Sequence, residues 1–271
     1  QINAACRRVL EAKYKLGLFS DPYKYCDTLR TREKLYTAEH RSSARTIATE
    51  TFVLLKNDHH LLPLDIKGKI ALIGPMADAR NNMCGMWSMT CTPSRHGTLL
   101  EGIRSAAGDK AEILYAKGSN IYYDAETEKA ATGIRPLERG DNRQLLDEAL
   151  RIAARADVIV AALGECAEMS GESVSRTNLE IPDAQQDLLK ALVKTGKPVV
   201  LLLFTGRPLV LNWEATNVHS ILNVWFGGSE TGDAVADVLF GKVAPSGKLT
   251  TTFPRSVGQL PLFYNHLNTG R

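Results

Sequence analysis

The chain has 271 residues, 44% of them hydrophobic, which is enough to bury the core of one large domain together with a smaller appendage. Its 33 basic and 30 acidic side chains are interspersed and leave a net charge of +3, so the composition predicts neither a nucleic acid nor an anionic membrane surface as a partner. The longest apolar run, residues 198–204, is far shorter than the roughly 20 residues that cross a bilayer, so no membrane span is predicted.

Two helices joined by a polar connection are predicted at the start of the chain. Residues 2–18 carry apolar side chains at helical spacing and end before an Asp-Pro turn. A second helical pattern covers residues 37–55, with three apolar residues predicted to face inward: Ile47, Val53 and Leu54. The boundary between appendage and main domain is therefore predicted near residue 36. Because the chain enters its first helix directly, we expect it to be a piece of a longer protein.

Beyond this boundary, short apolar runs alternate with helical patterns. The predicted strands are residues 69–73, 111–115, 157–162, 198–204 and 219–225, with 249–253 as a weaker sixth. The predicted helices between them are residues 99–107, 142–156, 183–195 and 230–240. Parallel strands need such crossover helices, so the pattern predicts a three-layer α/β/α sandwich around a mostly parallel sheet of about six strands.

Three connections are longer than is usual in such folds, namely residues 74–96, 117–141 and 164–182. Long loops at strand ends often carry binding or catalytic residues. The first and third of them follow the first and third strands of the sheet. We expect these two loops to converge at one rim, which would bring Trp87 and Glu172 into one region.

On the residue pattern alone, the candidate site residues admit ordinary structural interpretations. Glu172 is an acid in a loop after a buried strand, and such acids, like Glu165 and Glu168 nearby, are mostly solvated charges. Trp87 is either a hydrophobic plug or a stacking surface for a sugar ring. Residues 227–232 are glycine-rich but lack the Rossmann and Walker spacings, so they predict a tight turn and no nucleotide or flavin cofactor.

The cysteines and histidines predict no metal site. The five cysteines are odd in number and include no Cys-x-x-Cys pair, and the six histidines form no His-x-x-x-His pair. Cys84 and Cys91 are close enough in sequence for a local disulfide, but only an oxidising compartment would allow it. The residues leave that bridge open.

Several segments, in order along the chain, resemble the C-terminal α/β-sandwich domain of glycoside hydrolase family 3, most closely its bacterial periplasmic β-glucosidases. The resemblance covers essentially the whole chain. The segments that carry it are residues 16–23, 53–57, 62–64, 205–208, 225–230, 236–241, 245–249 and 263–271.

The resemblance implies a retaining glycosidase with an aspartate nucleophile on a preceding (β/α)8 barrel. The family's Ser-Gly-Glu-Gly-x-Asp-Arg pattern corresponds to residues 170–176, which makes Glu172 the general acid/base. Ser173 and Ser175 depart from the glycine and aspartate of that pattern. Glu165 is the runner-up for the acid/base, because it directly follows the strand.

The same resemblance implies a domain organisation and a substrate. Residues 1–36 would be the last barrel helix and the linker, and residues 37–271 the sandwich domain. The substrate would be a terminal β-D-glucosyl residue of an oligosaccharide or glycoside, contacted by Trp87 and Arg176, in a periplasmic or secreted enzyme. A β-xylosidase and a non-catalytic carbohydrate-binding or scaffolding domain remain the alternatives. Alone, the chain would hold half an active site and be inactive.

Overall fold

The computed structural model describes residues 1–133 and 136–268, so the last three residues of the matching segment 263–271 lie outside the described residues. The chain divides into two compact units, residues 1–42 and residues 43–271. No helix in the described part of the chain combines the length and the apolar character that a membrane crossing requires.

The α-helices among the described residues are α1 (Ile2–Lys15), α2 (Thr28–Lys34), α3 (Ala38–Thr51), α4 (Leu99–Ala107), α5 (Ala125–Thr132), α6 (Asn142–Arg155), α7 (Asp183–Val193), α8 (Asn212–Asn217) and α9 (Thr231–Leu239). The β-strands are β1 (Val53–Asn57), β2 (Lys69–Ile73), β3 (Glu112–Ala116), β4 (Val158–Gly164), β5 (Val199–Phe204) and β6 (Ser220–Asn223).

The first unit contains α1 and α2. Asp27 caps α2, since its carboxylate accepts hydrogen bonds from the backbone N–H groups of Leu29 and Arg30 at 2.9 and 3.2 Å. α1 has no buried residue, although it carries apolar side chains at helical spacing. Its large apolar residues are at least half exposed, as the values for Ile2 (80%), Val9 (56%), Leu10 (51%) and Tyr14 (75%) show.

The six strands form one sheet in the order β1-β6-β5-β4-β2-β3. All neighbours are parallel except β1 and β6, which pair antiparallel. The chain passes from β2 outward to β3, then returns to the other side of β2 to form β4. β2 and β4 therefore flank the switch point, the crevice at which open α/β sheets bind their ligands.

Helices cover both faces of the sheet. Alternate residues of the central strands point to opposite sides, so each face carries apolar side chains that a helix layer buries. Val200, Leu202 and Phe204 pack with residues of α4 and α9 on one side. Leu201 and Leu203 pack with residues of α6 and α7 on the other. Every residue of β5 is buried, as a strand covered on both faces requires. The three-layer α/β/α sandwich and its mostly parallel sheet of six strands are thereby confirmed.

Two sequence predictions fail at the edge of this sheet. The helix predicted over residues 37–55 ends at Thr51, and Val53–Asn57 instead form β1 beside β6. Ile47, predicted to face inward, is 61% exposed. Residues 249–253 form no strand, and β1 is the sixth strand of the sheet instead.

Candidate functional site

The loops that follow β2 and β4 meet at the carboxyl ends of those strands. Asn82, in the first loop, accepts a hydrogen bond from the backbone N–H of Ala167, in the second, at 2.7 Å. Further along, a Cβ atom on Gly171 would lie 2.6 Å from Cγ of Met86. Met86 precedes Trp87 and Gly171 precedes Glu172, so the two segments that carry these candidates are in contact at the switch point.

Gly164 ends β4 in a conformation that requires glycine. Its φ is 130°, and a Cβ atom there would lie 1.9 Å from the carbonyl oxygen of Phe204. The buried side chain of Gln185 holds this residue through two hydrogen bonds of 2.9 Å to its backbone N–H and carbonyl. The strand end is thus fixed immediately before Glu165.

Glu165 is a buried carboxylate with partners on both oxygens. Its side chain is 0% exposed, and Oε1 accepts a hydrogen bond from Nη1 of Arg176 at 2.6 Å. Nε of Arg207 lies 3.1 Å from the same oxygen, an ion-pair distance without hydrogen-bond alignment. Oε2 lies 2.8 Å from the hydroxyl of Thr205 and accepts the backbone N–H of Gly206 at 3.1 Å. This carboxylate therefore has no lone pair directed into solvent.

The two arginines also hold the loop that contains Glu172. Nη2 of Arg207 donates to the carbonyl of Met169. Nη2 of Arg176 donates to the carbonyl of Glu180 at 3.0 Å. Arg176, the predicted substrate contact, has a side chain only 11% exposed and directed at Glu165.

Glu172 lies at the tip of this loop and is exposed. Within residues 1–133 and 136–268 it has no hydrogen bond or ion pair. The next residue, Ser173, has a φ of 59°, the left-handed region that favours glycine. The glycine of the family's pattern at this position would adopt that conformation without strain.

Trp87 is 70% exposed, so it fills no core of the described chain, and its indole is accessible as a stacking surface. Its loop is closed by a disulfide between Cys84 and Cys91, whose Cα atoms are 6.5 Å apart. Buried His96 lies beside the bridge, with Nε2 3.7 Å from Sγ of Cys84 and 3.4 Å from that of Cys91. Among the described residues, these three side chains are the group with the composition of a metal site, but the two sulfurs are bonded to each other.

An open groove of about 530 Å³ runs beside Arg176 and is lined by polar residues of the same loop and of α7, including Asn178, Asp183 and Asp187.

On the buried side of the loop, Cys166 follows Glu165. Burial raises the pKa of the Cys166 thiol to about 12, which marks it as an unreactive, structural cysteine.

The sequence pattern predicted only a turn at Gly206 and Arg207 and no functional role for them or for Thr205, although all three form part of a matching segment. One signal could have identified Arg207. It follows a strand of six consecutive apolar residues that is buried throughout, and an arginine in such a place needs a carboxylate partner. Which glutamate that partner is could not be read from the sequence.

Known proteins resemble this chain in sequence and in fold. The sequence model of the glycosyl hydrolase family 3 C-terminal domain matches residues 52–271. The chain belongs to glycoside hydrolase family 3. A periplasmic beta-glucosidase of Salmonella typhimurium is 46% identical over 277 aligned positions, which cover all of this chain and 36% of that protein. A beta-xylosidase of Formosa agariphila is 38% identical, over 97% of this chain and 35% of that protein.

Solved structures of family 3 members have the same fold. The beta-glucosidase of Listeria innocua in complex with isofagomine superimposes with a TM-score of 0.80 at 35% identity, over 97% of this chain and 34% of that chain. A beta-glucosidase involved in saponin metabolism from intestinal bacteria gives a TM-score of 0.81 at 31% identity. This family 3 chain thus spans about a third of the length of its relatives.

Proposed function

We propose that this chain is the acid/base part of a retaining, exo-acting β-glucosidase that removes terminal non-reducing β-D-glucosyl residues. Glu172 is its general acid/base, and a preceding (β/α)8 barrel supplies the aspartate nucleophile. The family membership and the beta-glucosidases among the relatives support the activity. The observation that carries the assignment of Glu172 is the difference between Glu165 and Glu172.

Glu165 is fully buried and both of its carboxylate oxygens contact groups of this chain, so no leaving-group oxygen can approach it. Glu172 is exposed at the loop tip, beside the crevice at the switch point, and has no partner in the described residues. A carboxyl in that position is free to meet the leaving-group oxygen of a glycoside. Glu172 is therefore the better acid/base of the two.

The chemistry then divides between two carboxyl groups. In a retaining glycosidase they stand about 5–5.5 Å apart, one attacking the anomeric carbon while the other protonates the departing oxygen. Here Glu172 donates that proton, the C–O bond breaks, and the sugar remains as an ester on the barrel aspartate. Glu172, now ionised, removes a proton from water, which attacks the anomeric carbon and releases the sugar with its original configuration.

The first unit supports the proposed barrel. The exposed apolar side chains of α1 form the kind of stripe that a helix buries against another layer of structure. We assign residues 1–36 to the last barrel helix and the linker, and residues 37–271 to the sandwich domain. The compact units divide a few residues later, between Ser42 and Ser43.

The substrate contact on this chain is proposed to be Trp87, whose exposed indole would stack on the sugar or aglycone next to the cleaved bond. A glucoside is preferred to a xyloside because the beta-glucosidase from Salmonella typhimurium is more similar than the beta-xylosidase, at 46% against 38% identity. A periplasmic or secreted location fits the disulfide between Cys84 and Cys91, since such bridges persist in oxidising compartments.

The test uses the assembled protein, meaning this chain with its proposed barrel, carrying Glu172→Ala. Hydrolysis of phenyl β-glucoside, whose leaving group needs a proton, should fall by about 10²–10⁴-fold, whereas 2,4-dinitrophenyl β-glucoside should still form the glycosyl-enzyme. Azide should then yield a β-glycosyl azide. The matched control is Glu180→Ala, which removes another exposed acid of the same loop. Equal loss on both substrates, without an azide product, would contradict the acid/base role.

The exposed Trp87 also supports a second candidate, a non-catalytic carbohydrate-binding domain. In that case sugar binding by the 271-residue chain, measured by calorimetry, should be unchanged by Glu172→Gln and lost in Trp87→Ala. The enzyme proposal predicts in addition that the chain without a barrel has negligible glycosidase activity. Robust turnover by a preparation whose mass shows only these residues would contradict the split active site.

A further inference from the structure

We infer that Glu165 is a positioning residue, which holds the Glu172 loop in place through Arg176 and Arg207. This inference rests on the proposed role of Glu172. It gives a reaction-linked function to the buried charge cluster of Glu165, Arg176 and Arg207.

The two arginines hold the loop on either side of Glu172. Arg207 donates to the carbonyl of Met169, three residues before Glu172. Arg176 lies four residues after Glu172. Both guanidinium groups converge on Oε1 of Glu165, at 2.6 Å for Arg176 and 3.1 Å for Arg207. One carboxylate oxygen therefore restrains both flanks of the segment that carries the acid/base.

Glu165 itself is fixed in place by contacts of its side chain and of its backbone. Its other oxygen is held by Thr205 and Gly206, which directly follow β5, while its backbone N–H donates to the carbonyl of Phe204 at 2.7 Å. The residue is thus anchored to the end of β5 at both its backbone and its side chain. Since β4 and β5 are central strands of the sheet, the loop is referenced to the most rigid part of the fold.

The loop also packs tightly against the end of β5. A Cβ atom on Gly206 would lie 1.9 Å from Oγ and 2.4 Å from Cβ of Ser170, so the Ser170 side chain packs directly against this glycine. Ser170 is two residues before Glu172. The approach of the loop to the sheet is therefore limited by contact, while the ion pairs prevent its departure.

Burial makes this restraint strong. The side chains of Glu165, Arg176 and Arg207 are 0%, 11% and 21% exposed. An arginine that lost its carboxylate partner here would be a poorly solvated charge, and such states are strongly disfavoured. Alternative loop positions that separate either arginine from Glu165 are thus rare. A proton donor misplaced by about 1 Å can cost a factor of about 10² in rate, so this restraint bears on catalysis.

The test compares leaving groups in the assembled protein carrying Arg207→Lys or Glu165→Gln. Lysine keeps the charge but cannot span from Glu165 to the Met169 carbonyl as the planar guanidinium does. We expect kcat/KM for phenyl β-glucoside to fall about 10–10²-fold. For 2,4-dinitrophenyl β-glucoside, which forms the glycosyl-enzyme without a proton donor, kcat/KM should fall less than about threefold. The matched control is Arg143→Lys on α6, where the arginine side chain is 91% exposed. This variant should leave the turnover of both substrates unchanged.

Circular dichroism and thermal melting establish that each variant is folded, and Arg207→Lys decides the matter if Glu165→Gln does not fold. An equal loss on both substrates, or no loss on either, overturns the positioning role. Glu172→Ala in the same assay separates this result from the proposed function. If Glu172→Ala shows no dependence on the leaving group, the proposed function fails. If Glu172→Ala shows it but the arginine variant does not, only the positioning inference fails.

Discussion

In the loop of residues 164–182, the foot is the segment at Glu165 beside the end of β4, and the tip is the segment at Glu172. These two glutamates lie in opposite environments. At the foot, Glu165 is buried, forms ion pairs with two arginines and contacts a hydroxyl and a backbone N–H group. At the tip, seven residues later, Glu172 is exposed and has no polar partner in the described chain. The difference teaches that two glutamates of one loop can serve different ends: the buried one is tied to the fold by its partners, whereas the exposed one is accessible to a substrate, as the proposal for Glu172 requires.

The largest expected difference between foot and tip is in stability. Glu165→Ala leaves two arginines without their carboxylate, so the free energy of unfolding should fall by about 3–5 kcal/mol. Glu172→Ala is the matched control at the tip and should change it by no more than about 0.5 kcal/mol. Urea denaturation followed by circular dichroism measures both. Similar losses in the two variants would remove the distinction between a structural foot and a chemical tip.

A smaller effect is expected beside the tip, at Ser173. Its left-handed conformation costs a residue with a Cβ atom about 1–2 kcal/mol, and glycine avoids that cost but loses about 0.4–1 kcal/mol by making the unfolded chain more flexible. Ser173→Gly should therefore raise the free energy of unfolding by about 0.5–1 kcal/mol.

Ser175→Gly is the control for this substitution, because Ser175 is exposed in the same loop and has no positive φ. It should lower the stability slightly, by up to about 1 kcal/mol. Denaturant midpoints of both variants test the sign. A loss of stability in Ser173→Gly as large as that in Ser175→Gly would mean that the loop does not hold this conformation in solution.

A third prediction concerns how well the foot of the loop is shielded from solvent, which the buried Cys166 next to Glu165 reports. Because burial raises the pKa of Cys166 to about 12, only about one molecule in 10⁴ would carry its thiolate at pH 8. Iodoacetamide at that pH should modify the exposed Cys6 and Cys26 and leave Cys166 unmodified until denaturant is added. Mass spectrometry of the native chain reads this directly. Equal modification of all three thiols would show that the foot opens readily.

Much of the fold follows from local patterns. β2 and α4 have the predicted bounds, and α6, α7 and the buried strand β5 differ by one or two residues at an end. These elements carry their own signals, since helical periodicity, a capping threonine or a continuous apolar run is visible within a few residues. Val53–Asn57 gave no such signal. A short apolar run suits either a helix or a strand, and only the open edge of β6 decided in favour of β1.

The candidate site was determined only partly by the sequence. A motif of seven residues around Glu172 placed the acid/base candidate in a loop at a strand end, and the alternation of strands and helices placed that loop at one rim of the sheet. Only the observed strand order showed that this rim is the switch point. The roles of Glu165, Arg207 and Trp87 depended on tertiary structure. Burial and ion pairing join residues that are far apart in the chain, and the sequence alone carries no signal of which partners will meet.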